Sequence, residues 1–226
     1  FMDLNGGSFS AASGITMQGG FSPAALNVQM DTLLPKFTMT GSSGNPTVNL
    51  AEGATLTVTD SVDLQGGTIV GEGVFRVAQG AAVARATFYP NAKVQFDADI
   101  TQASNPLVLI TGPNAEVGLN GAVNVPISTL TGPGSIQFKG QANIERFRVT
   151  DANVTVPNKL TLVKSESSMR GGAQIVVDGE LSFLAEGGYP ILIAQSTAPY
   201  PVVVTEQGVI TGTGYPKYGP YLNQDG

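Results

Sequence analysis

The chain has 226 residues, 42% of them hydrophobic and only 12% charged, with a formal net charge of −6 and no cysteine, histidine or tryptophan. The charged share is about half that of an ordinary globular domain, so the surface must be covered by Ser, Thr, Asn and Gln or hidden against partners. Disulfides, thiolate or imidazole metal sites and Ser-His-Asp or Cys-His triads are excluded, and the scattered Lys and Arg leave no basic stripe to attract nucleic acid or an anionic membrane surface.

Residues 1–46 are rich in Ser, Gly and Met and lack the rhythm that sets in at Thr47; an irregular N-terminal arm or cap is expected there. Within it, "SPAALNVQMDTLL" (22–34) sets Ala25, Val28, Met30, Leu33 and Leu34 partly on a helical face, and a helix and an extended arm fit the stretch equally. The chain opens on Phe1 with no basic and apolar leader behind it, so a signal peptide is expected to be missing or already removed, and the polypeptide to be a fragment or processed product. No run approaches the roughly 20 apolar residues of a membrane span.

From Thr47 to residue 186 the sequence is a series of short period-two runs, among them "ATLTV", "VFRV", "KVQF", "EVGL", "SIQF" and "QIVV", with Gly, Pro, Asn or Asp at nearly every joint. Such runs mark an all-β chain. Two architectures accommodate them: an antiparallel β-sandwich, and a parallel β-helix in which each coil supplies two or three strands. "LNGAV" (119–123) and "VDGEL" (177–181) are the best hairpin turns that a sandwich could use.

Repeats favour the solenoid. An aliphatic-x-Gly-x-Gly unit followed by a strand occurs in "TIVGEGVFRV" around Gly71 and again in "TLTGPGSIQF" around Gly132, 61 residues on. It returns in "GVITGTG" at Gly212, a further 80 residues along, with a looser relative around Gly179. These spacings fit three and four coils of about 20 residues. Glycine is suited to the corners, where the backbone turns sharply with positive φ. Ile69, Phe75 and Val77, and likewise Leu130, Ile136 and Phe138, are then expected to point inward and stack on counterparts one coil away.

Residues 187–226 change character again, with several prolines and five of the six tyrosines. Proline is kept out of central ladder positions, so a C-terminal cap or subunit-contact segment is expected. Tyr189, Tyr200, Tyr215, Tyr218 and Tyr221 are its candidate interface residues, since each offers a large apolar face and a polar tip.

Paired carboxylates are the one catalytic device that this composition allows, because hydrolysis of a glycosidic bond needs two acids about 5–10 Å apart. The candidates are Asp60 with Asp63, Asp97 with Asp99, and Glu145 brought to Asp151 by stacking. Asp97 and Asp99, two apart and so on one side of a strand, are also the candidate calcium ligands. No cofactor is expected: "GEGVFRV" and "GPGSIQF" contain GxG, but neither extends to GxGxxG nor opens a helix.

The Gly-punctuated unit in "LQGGTIVGEGVFRVAQGA" (64–81) and "TLTGPGSIQFKG" (129–140) resembles coils of right-handed parallel β-helices from phage tail spikes and from bacterial adhesins or autotransporter passengers, over about residues 47–186. The resemblance implies a non-enzymatic structural or attachment protein of a virus particle, such as a bacteriophage tail spike, fibre or capsid decoration protein. A homotrimer at the virion surface is expected, with other virion proteins or a host surface glycan as partners and without nucleic acid or membrane insertion. A polysaccharide depolymerase or lyase on the same scaffold and a bacterial adhesin passenger are the alternatives. No residue matches a catalytic signature of the related pectate-lyase-like enzymes, which weighs against an enzyme.

Overall fold

In the computed structural model, which describes residues 2–4, 13–20, 24–41, 46–102, 104–163, 167–184 and 192–213, the chain is all-β with no helix among the described residues. Every described strand pairing is parallel. The chain winds as a β-solenoid of about eight coils, and the antiparallel sandwich is thereby ruled out. No described helix is long and apolar enough to cross a membrane.

One ladder shows how the sequence specifies the coil. Residues 74–77, 93–96, Glu116–Leu119, Ser135–Phe138, Asn153–Val156, Gln174–Val177 and Val202–Val204 lie side by side in register. Hydrogen bonds from Val74 N to Ala54 O and from Ala78 N to Val58 O place 55–58 beneath 74–77 in the same ladder. Successive strands are 18 to 27 residues apart when read at Val77, Phe96, Leu119, Phe138, Val156, Val177 and Val204, which are mutually in register except at the Phe138–Val156 step, where the flanking pairs hold the alignment. Alternation then puts Phe75, Val94, Val117, Ile136, Val154 and Ile175 into one interior column, each buried. A single coil could not bury that column, but neighbouring coils cover it from above and below.

Two further ladders complete the later coils. The second runs through Val123, Ala142, Leu160, Leu181 and Ile210, and the third through Leu107, Ser128, Phe147, Ser167 and Leu192. Early coils carry another ladder, Met2–Leu4, Ala25–Val28, Thr47–Leu50 and 68–71. Parallel pairing therefore runs across position 46/47, and on the far side Glu180–Leu184 pairs with Val209–Thr213. The stretch 22–34 contributes two strands, Ala25–Val28 and the start of Thr32–Thr40, and forms no helix in its described part.

The interior is packed with rings set against small residues. Phe37 and Phe75 meet across the coil with centroids 5.7 Å apart, Phe88 and Phe96 at 6.0 Å, and Phe138 and Phe147 at 6.0 Å in an edge-on arrangement. Ser128 and Ser167 lie directly below and above Phe147 in the third ladder, and both are buried. Their small side chains leave room for the ring. Ile69, Phe75, Val77, Leu130, Ile136 and Phe138 are all fully buried, as the alternation predicts.

The glycine unit is a coil corner at two of its expected places. Gly71 and Gly132 have φ of +114° and +100°, and a Cβ there would lie 2.0 Å from Leu50 O and 2.1 Å from Thr111 O, carbonyls of the coil below. Gly73 and Gly134 immediately precede equivalent strands, three coils apart. Gly212 is different: it pairs with Phe183 inside the second ladder and turns no corner. Gly121 and Gly179, the centres of the two supposed hairpin turns, also turn the chain from the first ladder to the second within a coil. Each is crowded by a carbonyl of the preceding coil, Ala98 O and Asn158 O respectively. Pro35 falls at a break in register between Leu34 and Lys36, whereas Pro126 sits between the paired residues Val125 and Ile127 of a ladder whose register is unbroken.

Candidate functional site

The acids singled out by the sequence all face outward, and the structure shows what engages them. Asp97 and Asp99 lie on either side of buried Ala98, past the strand end at Phe96, so they occupy a corner rather than a strand. Asp97 Oδ2 accepts from Arg76 Nε of the coil below (2.5 Å), and its Oδ1 accepts from Asn120 Nδ2 of the coil above (2.6 Å). Burial opposes ionisation of Asp97, but the bonds from Asn120 and Arg76, with the charges of Arg76 and Lys139, outweigh it and hold the carboxyl below its ordinary value. Asp99 Oδ1 accepts from the Ala122 N–H of the next coil at 2.8 Å. A cation at this corner would compete with the guanidinium of Arg76 for Asp97, and no group of three or more metal-ligating acids exists among the described residues.

Asp63 repeats the arrangement. It takes a two-pronged interaction from Arg85, Nε to Oδ1 and the terminal nitrogen to Oδ2, both 2.9 Å, and a bond from Gln65 Nε2 at 2.8 Å. Burial again raises its pKa, and the Arg85 and Gln65 bonds reverse the shift to a net lowering. Asp60 accepts from Thr59 Oγ1 at 2.8 Å and is not engaged with Asp63.

Glu145 and Asp151 belong to one coil, at the second-to-third ladder corner and at the end of strand Ala142–Thr150, so stacking does not bring them together. Asp151 follows Thr150, which pairs with Thr131, and so takes the coil position of Gly132. It is the one described non-glycine residue with positive φ, +59°, a conformation that Asp tolerates better than most side chains. Its Oδ1 accepts from Gly172 N at 2.7 Å.

Sequence reasoning missed a common role for these groups. Asp31 accepts from Thr55 N, Asn91 from Asn114 N, Asp99 from Ala122 N, Thr111 Oγ1 from Gly134 N and Asp151 from Gly172 N. In each case a short polar side chain at a corner caps a backbone N–H 21 to 24 residues later, one coil on. The ion pairs obey the same spacing: Arg76–Asp97, Arg85–Asp63, Lys93–Glu116 and Lys159–Glu180. The bond from Thr211 Oγ1, then Lys159, lowers the pKa of Glu180. Comparing positions one coil apart, instead of neighbours in sequence, is the signal that finds them.

Of the candidate interface tyrosines, Tyr200 is described and exposed, and its carbonyl accepts from Gln174 Nε2 at 2.9 Å. Tyr189, Tyr215, Tyr218 and Tyr221 lie outside the described residues. Comparison with protein-family models, with curated proteins and with solved structures gives no match.

Proposed function

We propose that the chain is a non-enzymatic structural and attachment protein of a virus particle, a bacteriophage tail spike, fibre or capsid decoration component acting as a homotrimer at the virion surface. The observation that carries this reading is the use of the outward acids as braces between coils. Asp63, Asp97, Asp99, Asp151 and Glu180 each hold a group from an adjacent coil, so the polar chemistry of the surface is directed along the rod axis. Continuous backbone ladders, a stacked apolar interior and these braces together make a stiff element that transmits load without rearranging. Association of three chains would cover ladder ends that otherwise invite edge-to-edge aggregation.

The test is at the level of the particle. Purified virions are expected to contain this polypeptide at a fixed copy number, and light scattering of the isolated chain is expected to give three times its 23.2 kDa mass. A monomer in dilute solution that is also missing from virions would defeat the proposal. Release of new reducing ends or unsaturated sugars from capsule or lipopolysaccharide would favour the depolymerase instead.

A further inference from the structure

Four of the described basic side chains brace neighbouring coils, whereas two arginines that share one face do not. Arg76, Arg85, Lys93 and Lys159 each meet a carboxylate of an adjacent coil. Arg148 and Arg170 are exposed, point outward from the third ladder, and have no carboxylate partner among the described residues. Arg148 pairs in register with Ser168 and Arg170 with Thr150, so the two arginines stand diagonally on adjacent coils, about 8 Å apart at the backbone. Their in-register neighbours carry hydroxyls and an amide: Thr129 flanks Arg148 on the coil below, and Gln195 flanks Arg170 on the coil above.

We propose that this face binds an acidic polysaccharide, with Arg148 and Arg170 taking anionic groups on the polymer and Thr129, Thr150, Ser168 and Gln195 bonding its hydroxyls. Guanidinium groups match carboxylates and sulfates with two parallel N–H donors, and leaving two of them unpaired on an exposed face costs little in solvent while leaving their donors available. The flat outer side of a parallel ladder presents these groups in a row that an extended polymer can follow. Nucleic acid does not fit: the chain carries a net charge of −6, and two arginines cannot offset the repulsion of a polymer with one charge per ~1.7 Å of duplex. A polysaccharide with charges at wider intervals avoids that penalty. The inference deepens the attachment reading and rests on it.

Affinity electrophoresis of the full chain through gels containing polygalacturonate, dextran sulfate or uncharged dextran tests it, at about 50 mM and about 200 mM salt. Retardation by an acidic polymer but not by dextran is expected, weaker at the higher salt, and the two acidic probes separate carboxylate from sulfate recognition. The double variant Arg148→Gln/Arg170→Gln is expected to lose about tenfold or more in affinity, whereas Lys139→Gln, elsewhere on the surface, keeps it. No retardation by either acidic polymer, equal retardation of the double variant, or comparable binding of dextran or duplex DNA overturns the proposal. Virion content is measured in parallel. A chain present in particles that ignores acidic glycans refutes this inference alone, and one that binds them but is absent from particles refutes only the attachment reading.

Discussion

Substituting Gly71, Gly80 and Gly118 by alanine separates three contributions to coil stability. Gly80 has φ of +85° but open space around its absent Cβ, so Gly80→Ala incurs the left-handed backbone cost alone. That cost is about 1–2 kcal/mol, offset by about 0.4–1 kcal/mol from the stiffer unfolded chain, for a net loss of about 1 kcal/mol. Gly118 has an ordinary φ, and its nearest foreign atoms would be 3.5 Å and 4.0 Å from a Cβ; Gly118→Ala is expected to be neutral or stabilising by about 0.5 kcal/mol. Gly71 combines the left-handed backbone with a Cβ only 2.0 Å from Leu50 O. Relieving that overlap requires the two coils to separate by more than an ångström locally. The flanking bonds from Thr68 N to Pro46 O and from Val74 N to Ala54 O, both 2.9 Å, are then strained or lost at about 1 kcal/mol each. The expected loss for Gly71→Ala is about 3 kcal/mol. Urea denaturation followed by far-UV circular dichroism gives all three values. If Gly71→Ala is no more damaging than Gly80→Ala, close approach between coils is not what demands glycine at the corner.

Two buried serines should respond in opposite directions. Ser128 Oγ has no hydrogen-bond partner, so Ser128→Ala is expected to be neutral or stabilising by about 1 kcal/mol, whereas Ser167 Oγ accepts from Phe147 N at 3.1 Å and Ser167→Ala should cost about 1–3 kcal/mol; thermal unfolding of both variants checks the contrast. Phe138→Ala removes one ring of a fully buried pair and should destabilise by about 3–5 kcal/mol in denaturant titration. Acid should weaken the rod. The carboxyls of Asp63 and Asp97 are held below their ordinary value in the folded chain, so between the folded and unfolded pKa values the unfolded chain binds more protons and stability rises with pH. The stabilisation is fully present above about pH 5 and is lost as pH falls below about 4; Asp63→Asn/Asp97→Asn should flatten the dependence of Tm on pH in that range.

The solenoid was legible because two of its demands fall on residue type. Corners that need positive φ and have no room for a side chain can be filled only by glycine, which is why Gly71 and Gly132 stand out, and interior columns impose period-two alternation on runs such as "VFRV" and "SIQF". The stretch 22–34 misled for a related reason: a window laid across the turn at 29–31 merges two strands of different alternation, and of the residues placed on a helical face only Val28 and Leu34 are buried, while Leu33 is exposed. The roles of Asp97, Asp99 and Asp151 were hidden because their partners lie a full coil away in sequence. Local scanning sees two neighbouring acids and suggests a catalytic or calcium pair, while the structure ties each to a different group. Arg148 and Arg170 escaped notice because their neighbourhood exists only once the coils are aligned.

The corner between the second and third ladders is elastic in length. Val123 and Ser128 are five positions apart, as are Ala142 and Phe147, yet the equivalent step takes seven from Ile100 to Leu107 and from Leu160 to Ser167, and eleven from Leu181 to Leu192. Ladder alignment is unchanged on either side in every case. A peptide spliced in at Pro126 would therefore leave the winding intact and be carried on the flank of the rod, which makes this corner a natural place to graft a tag, an epitope or a second binding loop.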